Sequence, residues 1–322
     1  MTTPADPLLR AAAELSPHYG KTEGVLVATG QAATELGLEL AGVRPGDEVI
    51  VPSNCCYLVP VAVARCGAQA VFAGIGPRLV LEAADVARAL TARTVAVIAV
   101  HHLGLPCAIG ELRAVLPKRV VVIEDAAQAY DLQSRGDSIG THADFVVASF
   151  GPGKPLCLGG GGGLFGTRRG LKDAMERYGR RAREGGTLPR SYALHPSAVA
   201  NLAEAIETAA GRLQSRREVV RWVEGDLRQA GFRIWTSQPG DRPSWHRLPV
   251  WPMSGELRSL ATDLRDSHAV VQTVHDIPTA SLPMFPSSRG FEYSDLEEPL
   301  LLRTDEPASL LRWTQELMAA TR

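Results

Sequence analysis

Three short segments carry residues whose types and order could do chemistry. The first is Ser149-Phe150-Gly151-Pro152-Gly153-Lys154, followed by the glycine tract Gly159–Gly163. An apolar run delivers a lysine into a loop where glycines let a ligand approach the backbone closely. A lysine made partly neutral by its surroundings attacks an aldehyde and forms an imine. The chain has only four lysines, Lys21, Lys118, Lys154 and Lys172, and its other basic residues are arginines. Arginine supplies charge but not a neutral amine, so each lysine asks for a reason. An ordinary surface lysine is the competing reading. The second segment is Val120–Gln128, where four apolar residues end in Glu124-Asp125. Neighbouring side chains on a strand face opposite ways, so one carboxylate can face a ligand while the other is solvated or paired. A carboxylate beside a pyridine nitrogen keeps it protonated, and a pyridinium accepts the electrons of a carbanion. The same pair also suits a helix cap. The third segment is Ala28-Thr29-Gly30-Gln31-Ala32-Ala33-Thr34, a strand running into a helix. The free N–H groups of such a helix start suit a phosphate, although one glycine there serves a structural turn equally well.

These segments need a scaffold that brings them to one edge. The first two-thirds of the chain alternates strand-like and helical patterns. Strands are expected at 24–28, 48–51, 68–72, 93–100, 119–124 and 144–149, with helices at 31–41 and 57–65. Such alternation with apolar strands predicts a mainly parallel sheet covered by helices. Ligands of these sheets sit outside the C-terminal strand ends, which selects Thr29, Ser53, His101, Asp125 and Lys154. A long helix is expected over 198–229, then a smaller α/β unit with strands at 246–251 and 269–274 and a closing helix at 308–320. The expected division is a large unit over 1–215, holding the start of the long helix, and a small one over 216–322.

Composition narrows the function classes. A formal net charge of -1 gives no nucleic-acid footprint. The longest apolar runs are far too short to span a bilayer, and Met1-Thr2-Thr3-Pro4 does not open a signal peptide. The five cysteines form no CxxC pair and have no histidines at zinc spacing. No metal site is expected, and the cysteines suit a reducing cytoplasm.

Taken together, the three segments resemble the DegT/DnrJ/EryC1/StrS aminotransferases, which are PLP-dependent transferases of fold type I. The resemblance runs from about Gly24 to Gly166 and includes Gly42–Ser53, His101–Pro106, Ile123–Ala129 and Ser149–Gly163. It implies a large, mainly parallel sheet domain of the seven-stranded type and a small α/β C-terminal domain. It implies pyridoxal 5'-phosphate as cofactor, with Lys154 as the Schiff-base lysine and Asp125 as partner of the pyridine nitrogen. By the same resemblance Gln128 contacts the ring or its phenolic oxygen, the amides of Gly30 and Gln31 hold the phosphate, and Ser149 adds a hydroxyl. The implied reaction moves an amino group from Glu or Gln to a keto group of a sugar, sugar nucleotide or cyclitol, in secondary-metabolite or polysaccharide biosynthesis. The implied assembly is a homodimer with sites at its interface. Other PLP chemistry on an amino acid, and a non-catalytic PLP- or sugar-binding homologue, are the alternatives.

The sequence also departs from the family pattern. An aromatic residue usually stacks on the ring shortly after the Val-Pro-Ser segment. Here Asn54-Cys55-Cys56-Tyr57 follows, so either Cys56 replaces the ring or Tyr57 reaches it from the next position. Gln31 stands where threonine is common. An Asn that reaches the neighbouring subunit's phosphate is not evident, and Arg190 is the substitute by charge, with a surface arginine as its competing reading. His101 fits a family position near the ring, and His275 is a candidate for the substrate mouth.

Overall fold

A computed structural model describes residues 6–167, 171, 194–268, 271–273 and 299–321. Arg190 and His275 lie outside the described residues. The main sheet has seven strands: β1 (Glu23–Val27), β2 (Glu48–Pro52), β3 (Gln69–Ala73), β4 (Thr94–Val100), β5 (Val121–Asp125), β8 (Phe145–Ser149) and β9 (Gly162–Gly166). A two-stranded hairpin, β6 (Gln133–Ser134) with β7 (Asp137–Ser138), sits between β5 and β8 in sequence. The spatial order is β1-β9-β8-β5-β4-β2-β3. Only β9 runs against its neighbours; β8, β5, β4, β2 and β3 pair in parallel.

Alternation along each strand divides the core in two. Val49, Val51, Ile98, Ile123, Val147 and Leu164 face one cluster. Their neighbours Ile50, Val97, Val122, Val146 and Phe165 face the other. Both faces are therefore covered, as a parallel sheet requires. Helices α2 (Gly30–Leu40) and α3 (Leu58–Arg65) cover the first face. Helices α1 (Pro7–Leu15) and α5 (Ile109–Val115), together with the long α6 (Leu202–Gln229), cover the second; α4 (Ala83–Ala89) also adds Val86 there.

Strand β9 departs from the expectation drawn from sequence. The glycine tract reads as low complexity, yet its end is a fully buried strand. It pairs with β8 on one side and β1 on the other. The glycines there are spatial necessities. A Cβ on Gly162 would lie 2.5 Å from the backbone nitrogen of Gly30 and the carbonyl oxygen of Thr29. The tight packing of backbone on backbone pulls the start of α2 against the strand that follows Lys154.

Helix α6 is 28 residues long, about 42 Å at 1.5 Å per residue. It leads to a second sheet of β10 (Phe232–Ile234), β11 (Arg247–Pro252), β13 (Leu300–Arg303) and β12 (Val271–Thr273), in that order and antiparallel throughout. Helix α7 (Gly255–His268) and the closing α8 (Pro307–Ala320) accompany it, and Trp313 on α8 is fully buried. The segment before β11 docks on the main sheet's ligand edge. Ser244 N–H donates to the Gly104 carbonyl at 2.9 Å, and Ser244 Oγ donates to the Tyr130 carbonyl at 2.8 Å.

Candidate active site

The site grows from the ends of β1, β8, β5 and β4, which share one edge of the sheet with β9 lying between β1 and β8. At the end of β1, Thr29 caps α2: its hydroxyl accepts from the Ala32 N–H at 3.0 Å. The N–H groups of Gly30 and Gln31 precede the first intrahelical bond, so the helix presents its positive end there. The Gln31 side chain turns along the helix and donates to Glu35 Oε1 at 3.1 Å. Ser149, at the end of β8, lies against this turn. A Cβ on Gly30 would come within 2.9 Å of Ser149 Cβ and 3.2 Å of its Oγ. Glycine here opens a small cradle walled by backbone amides and a hydroxyl, which fits a phosphate.

Asp125 ends β5 and is 6% exposed. Its Oδ1 accepts from the Ala127 N–H at 2.8 Å, while Oδ2 has no partner among the described residues. Burial holds its carboxyl above the ordinary 3.8, and the Ala127 N–H, Lys154 and His101 oppose that rise. A cationic ring nitrogen facing Oδ2 would reverse the balance. Lys154 lies in the same field on the loop after β8, its own N–H donating to the Gly151 carbonyl at 3.2 Å. Gln128 accepts from the Leu103 N–H at 2.6 Å through Oε1. Fixing that oxygen leaves the NH2 end as the donor for a ring oxygen.

Glu124 points the other way, as strand alternation demands, and is paired rather than solvated. Its Oε1 lies 2.7 Å from His101 Nε2, and its Oε2 accepts from the Gly140 N–H at 2.9 Å. His101 Nδ1 accepts from the Cys107 N–H at 3.1 Å, so Nε2 carries the proton and donates to Glu124. Both nitrogens of this buried ring are used structurally. Cys55 is buried and close enough to Asp125 that its thiol is pushed up, first by burial, then by Cys56 and Asp125. Cys56 and Tyr57 are both exposed, Tyr57 at 49%.

Sequence reasoning missed two residues on this edge. His246 stands just before β11 with its backbone nitrogen 2.6 Å from a Cβ built on Gly104, where the Gln128 carbonyl lies at 3.0 Å. Its imidazole is 9% exposed and lies in the field of Lys154. Arg216, on α6, is 4% exposed and lies in the field of His246. Neither belongs to a local motif, and one arginine in an arginine-rich chain gives no sequence signal.

Comparison with known proteins places this arrangement. The model of the DegT/DnrJ/EryC1/StrS aminotransferase family matches residues 8–298. The chain is 37% identical over 166 residues to the erythromycin biosynthesis sensory transduction protein EryC1 of Saccharopolyspora erythraea, a match covering 51% of this chain and 45% of that protein. It is 38% identical over 154 residues to the UDP-N-acetyl-3-dehydro-alpha-D-glucosamine 3-aminotransferase of Acidithiobacillus ferrooxidans, covering 47% and 42%. The chain thus spans about half the length of the curated relatives it matches. In fold it is similar to the crystal structure of DesV from S. venezuelae, solved with a ketimine intermediate, at a TM-score of 0.83 and 24% identity, covering 100% of this chain and 90% of that one.

Proposed function

The chain belongs to the DegT/DnrJ/EryC1/StrS aminotransferase family, and from that premise we propose that it is a PLP-dependent aminotransferase. The single observation that carries the reading is the joint placement of Lys154, Asp125 and the Gly30–Ser149 cradle at one sheet edge. The proposed substrates are Glu or Gln as amino donor and a keto sugar, sugar nucleotide or cyclitol as acceptor. The relative named as a UDP-sugar 3-aminotransferase supports that class.

The residues present fit the cofactor. Gly30, Gln31 and Ser149 would hold its phosphate, Asp125 its ring nitrogen, Gln128 its ring oxygen, and Lys154 its aldehyde carbon. Cys56 or Tyr57 would flank the ring. Arg190 completes the proposed set from the neighbouring subunit of a homodimer. Pyridoxal phosphate supplies, when bound, an electron sink for a carbanion at the donor's α-carbon. The chain does the rest. Asp125, kept dry and oriented by the Ala127 N–H, holds a proton on the ring nitrogen. Lys154 moves the proton at the donor's α-carbon. The Thr29-capped start of α2 anchors the anionic end, so that the proton is moved in a fixed geometry.

L-glutamate added to the PLP-loaded protein without acceptor should release one equivalent of 2-oxoglutarate per subunit and then stop. Lys154→Ala should abolish that release. A second reading, a binding protein, is favoured by the relative named as a sensory transduction protein. It predicts saturable PLP binding with no 2-oxoglutarate released, and that result would replace the transaminase reading.

A further inference from the structure

A cavity of about 520 Å³ opens on the face of the main sheet covered by α1 and α6. Its buried lining residues, such as Tyr130, Ile139 and Leu213, belong to the core of that face, whereas α2 covers the other. None of the described residues assigned above to the cofactor lines it. The floor is apolar. Ile206, Ala210 and Leu213 recur along α6 at the three- and four-residue spacing that aligns side chains on one side of a helix. Ile139, just after the β6–β7 hairpin, lines it with them.

The rim is polar, and its charge does not balance. The charged residues that line the cavity are Arg217, Arg242 and Asp131. Both guanidiniums share the one carboxylate: Arg217 Nη1 and Arg242 Nη2 each lie 3.1 Å from Asp131 Oδ2. Arg217 is engaged further, its Nε donating to the Pro243 carbonyl at 3.0 Å and its Nη2 to the Asp131 carbonyl. The Arg242 side chain is half exposed, and its five N–H donors meet only a carboxylate already shared. Two positive charges against one negative leave one positive charge over at the rim. His18 adds a flat wall beside it. Its ring stacks on Tyr130 with centroids 5.6 Å apart and planes 26° from parallel, and its Nδ1 lies 3.0 Å from the Tyr130 hydroxyl. Burial, then Asp131, push that hydroxyl up to about 12, so it keeps its proton at neutral pH. A hydroxyl donating to Nδ1 leaves His18 Nε2 as the ring's N–H.

We infer that this cavity is a binding site for a small organic monocarboxylate with an apolar, planar body. One uncompensated positive charge answers a monoanion, and the two oxygens of a carboxylate match a guanidinium edge. The body of such a ligand covers the apolar floor, and the His18–Tyr130 stack offers a planar ring an aromatic wall. A phosphate monoester brings nearly two negative charges to a rim with one positive charge to answer them. The assignment uses neither Lys154 nor the transaminase reading. The occupant would rest against the chain segment that carries Asp125 and Gln128 before it reaches Tyr130 and Asp131.

The test uses the PLP-loaded protein and titration calorimetry with three probes: 1-naphthylacetate, its neutral amide and 1-naphthyl phosphate. The acid should bind saturably, and the amide about tenfold or more weakly. Arg242→Ala should weaken the acid about tenfold or more, and Arg242→Lys by less. Ala210→Trp, at an exposed position of α6, should fill the cavity and abolish binding. The melting temperature of each variant establishes that it is folded. Lys154→Ala should bind the acid as the wild type does. Absence of saturable binding overturns the inference. So does equal affinity for acid and amide, or unchanged affinity for the acid in folded Arg242→Ala or Ala210→Trp protein. Loss of binding in Lys154→Ala overturns it by placing the acid in the proposed cofactor site. Tighter binding of the phosphate than of the acid overturns it in favour of a phosphate site. Acid binding that survives while L-glutamate releases no 2-oxoglutarate sinks the transaminase reading alone.

Discussion

At the scale of single residues, the site places an acid where water is scarce. Asp125 sits above its ordinary 3.8 because burial outweighs the Ala127 N–H, Lys154 and His101. The folded chain without cofactor therefore holds that proton more tightly than the unfolded chain. Stability from this group is complete below 3.8 and is lost as pH rises through the elevated folded value. Asp125→Asn removes that loss while still accepting from Ala127. Its cofactor-free melting temperature should fall less than that of the wild type between about pH 4 and neutrality, while turnover drops by about a hundredfold or more. A wild-type pH profile of the melting temperature matched by Asp125→Asn would remove the buried acid from the account. The sequence makes the proposed residues Lys154, Asp125 and Gly30 legible because each is a polar or conformationally special residue at or just after the end of an apolar run. Arg216 and His246 stay hidden for the opposite reason. They are ordinary in their local sequence, and only tertiary enclosure separates them from other arginines and histidines of the chain.

At the scale of elements, most of the strands and helices expected from periodicity lie within a residue or two of the observed ones, but helices α1, α4, α5 and α7 were not expected and α6 begins four residues after 198. The expected 93–100 strand is Thr94–Val100, and the expected 144–149 strand is Phe145–Ser149. Strand β9 escapes such reading because its pattern Gly-Gly-Leu-Phe-Gly lacks β-branched residues and alternation. What makes it a strand is its two neighbours and the space they leave. Gly162 shows this most directly, with a hypothetical Cβ 2.5 Å from Gly30 N. Gly162→Ala should destabilise the chain by about 1–3 kcal/mol, measured by urea unfolding, and weaken PLP binding as the α2 start is pushed off Ser149. Gly160, with open space around its own Cβ position, is the control that should do neither when changed to Ala. The short strands β10 and β13 escaped notice as well, being only three and four residues long.

At the scale of the whole molecule, the segment leading into the second sheet is pinned to the edge of the main sheet where the proposed site lies. The segment 242–246 is hydrogen-bonded to Gln133 of the β6–β7 hairpin and to Tyr130 and Gly104 at the main sheet's edge. Arg217 from α6 adds bonds to Asp131 at 3.1 Å and to the Pro243 carbonyl at 3.0 Å. The resemblance-based expectation of a homodimer with shared sites belongs to this scale. Sedimentation at micromolar concentration should give twice the 34.4 kDa chain mass; a monomer with full activity would remove the shared site, and Arg190 with it. Among the described residues no helix is long and apolar enough to cross a membrane. None of this larger organisation is written in a motif, because it depends on contacts between segments far apart in sequence.

Strand β9 also sets an order of events. It joins β1 to β8 through pairs such as Glu23–Gly166 and Ser149–Gly162. Until Gly166 has been synthesised, β1 has no partner in the sheet, and the Thr29–Gly30 turn has nothing to press it against Ser149. Closing so long a loop is entropically slow compared with pairing β2, β3 and β4. The Gly30–Ser149 cradle is therefore among the last features of the main sheet to assemble on a growing chain, and under the proposed function cofactor capture would report that the sheet is whole.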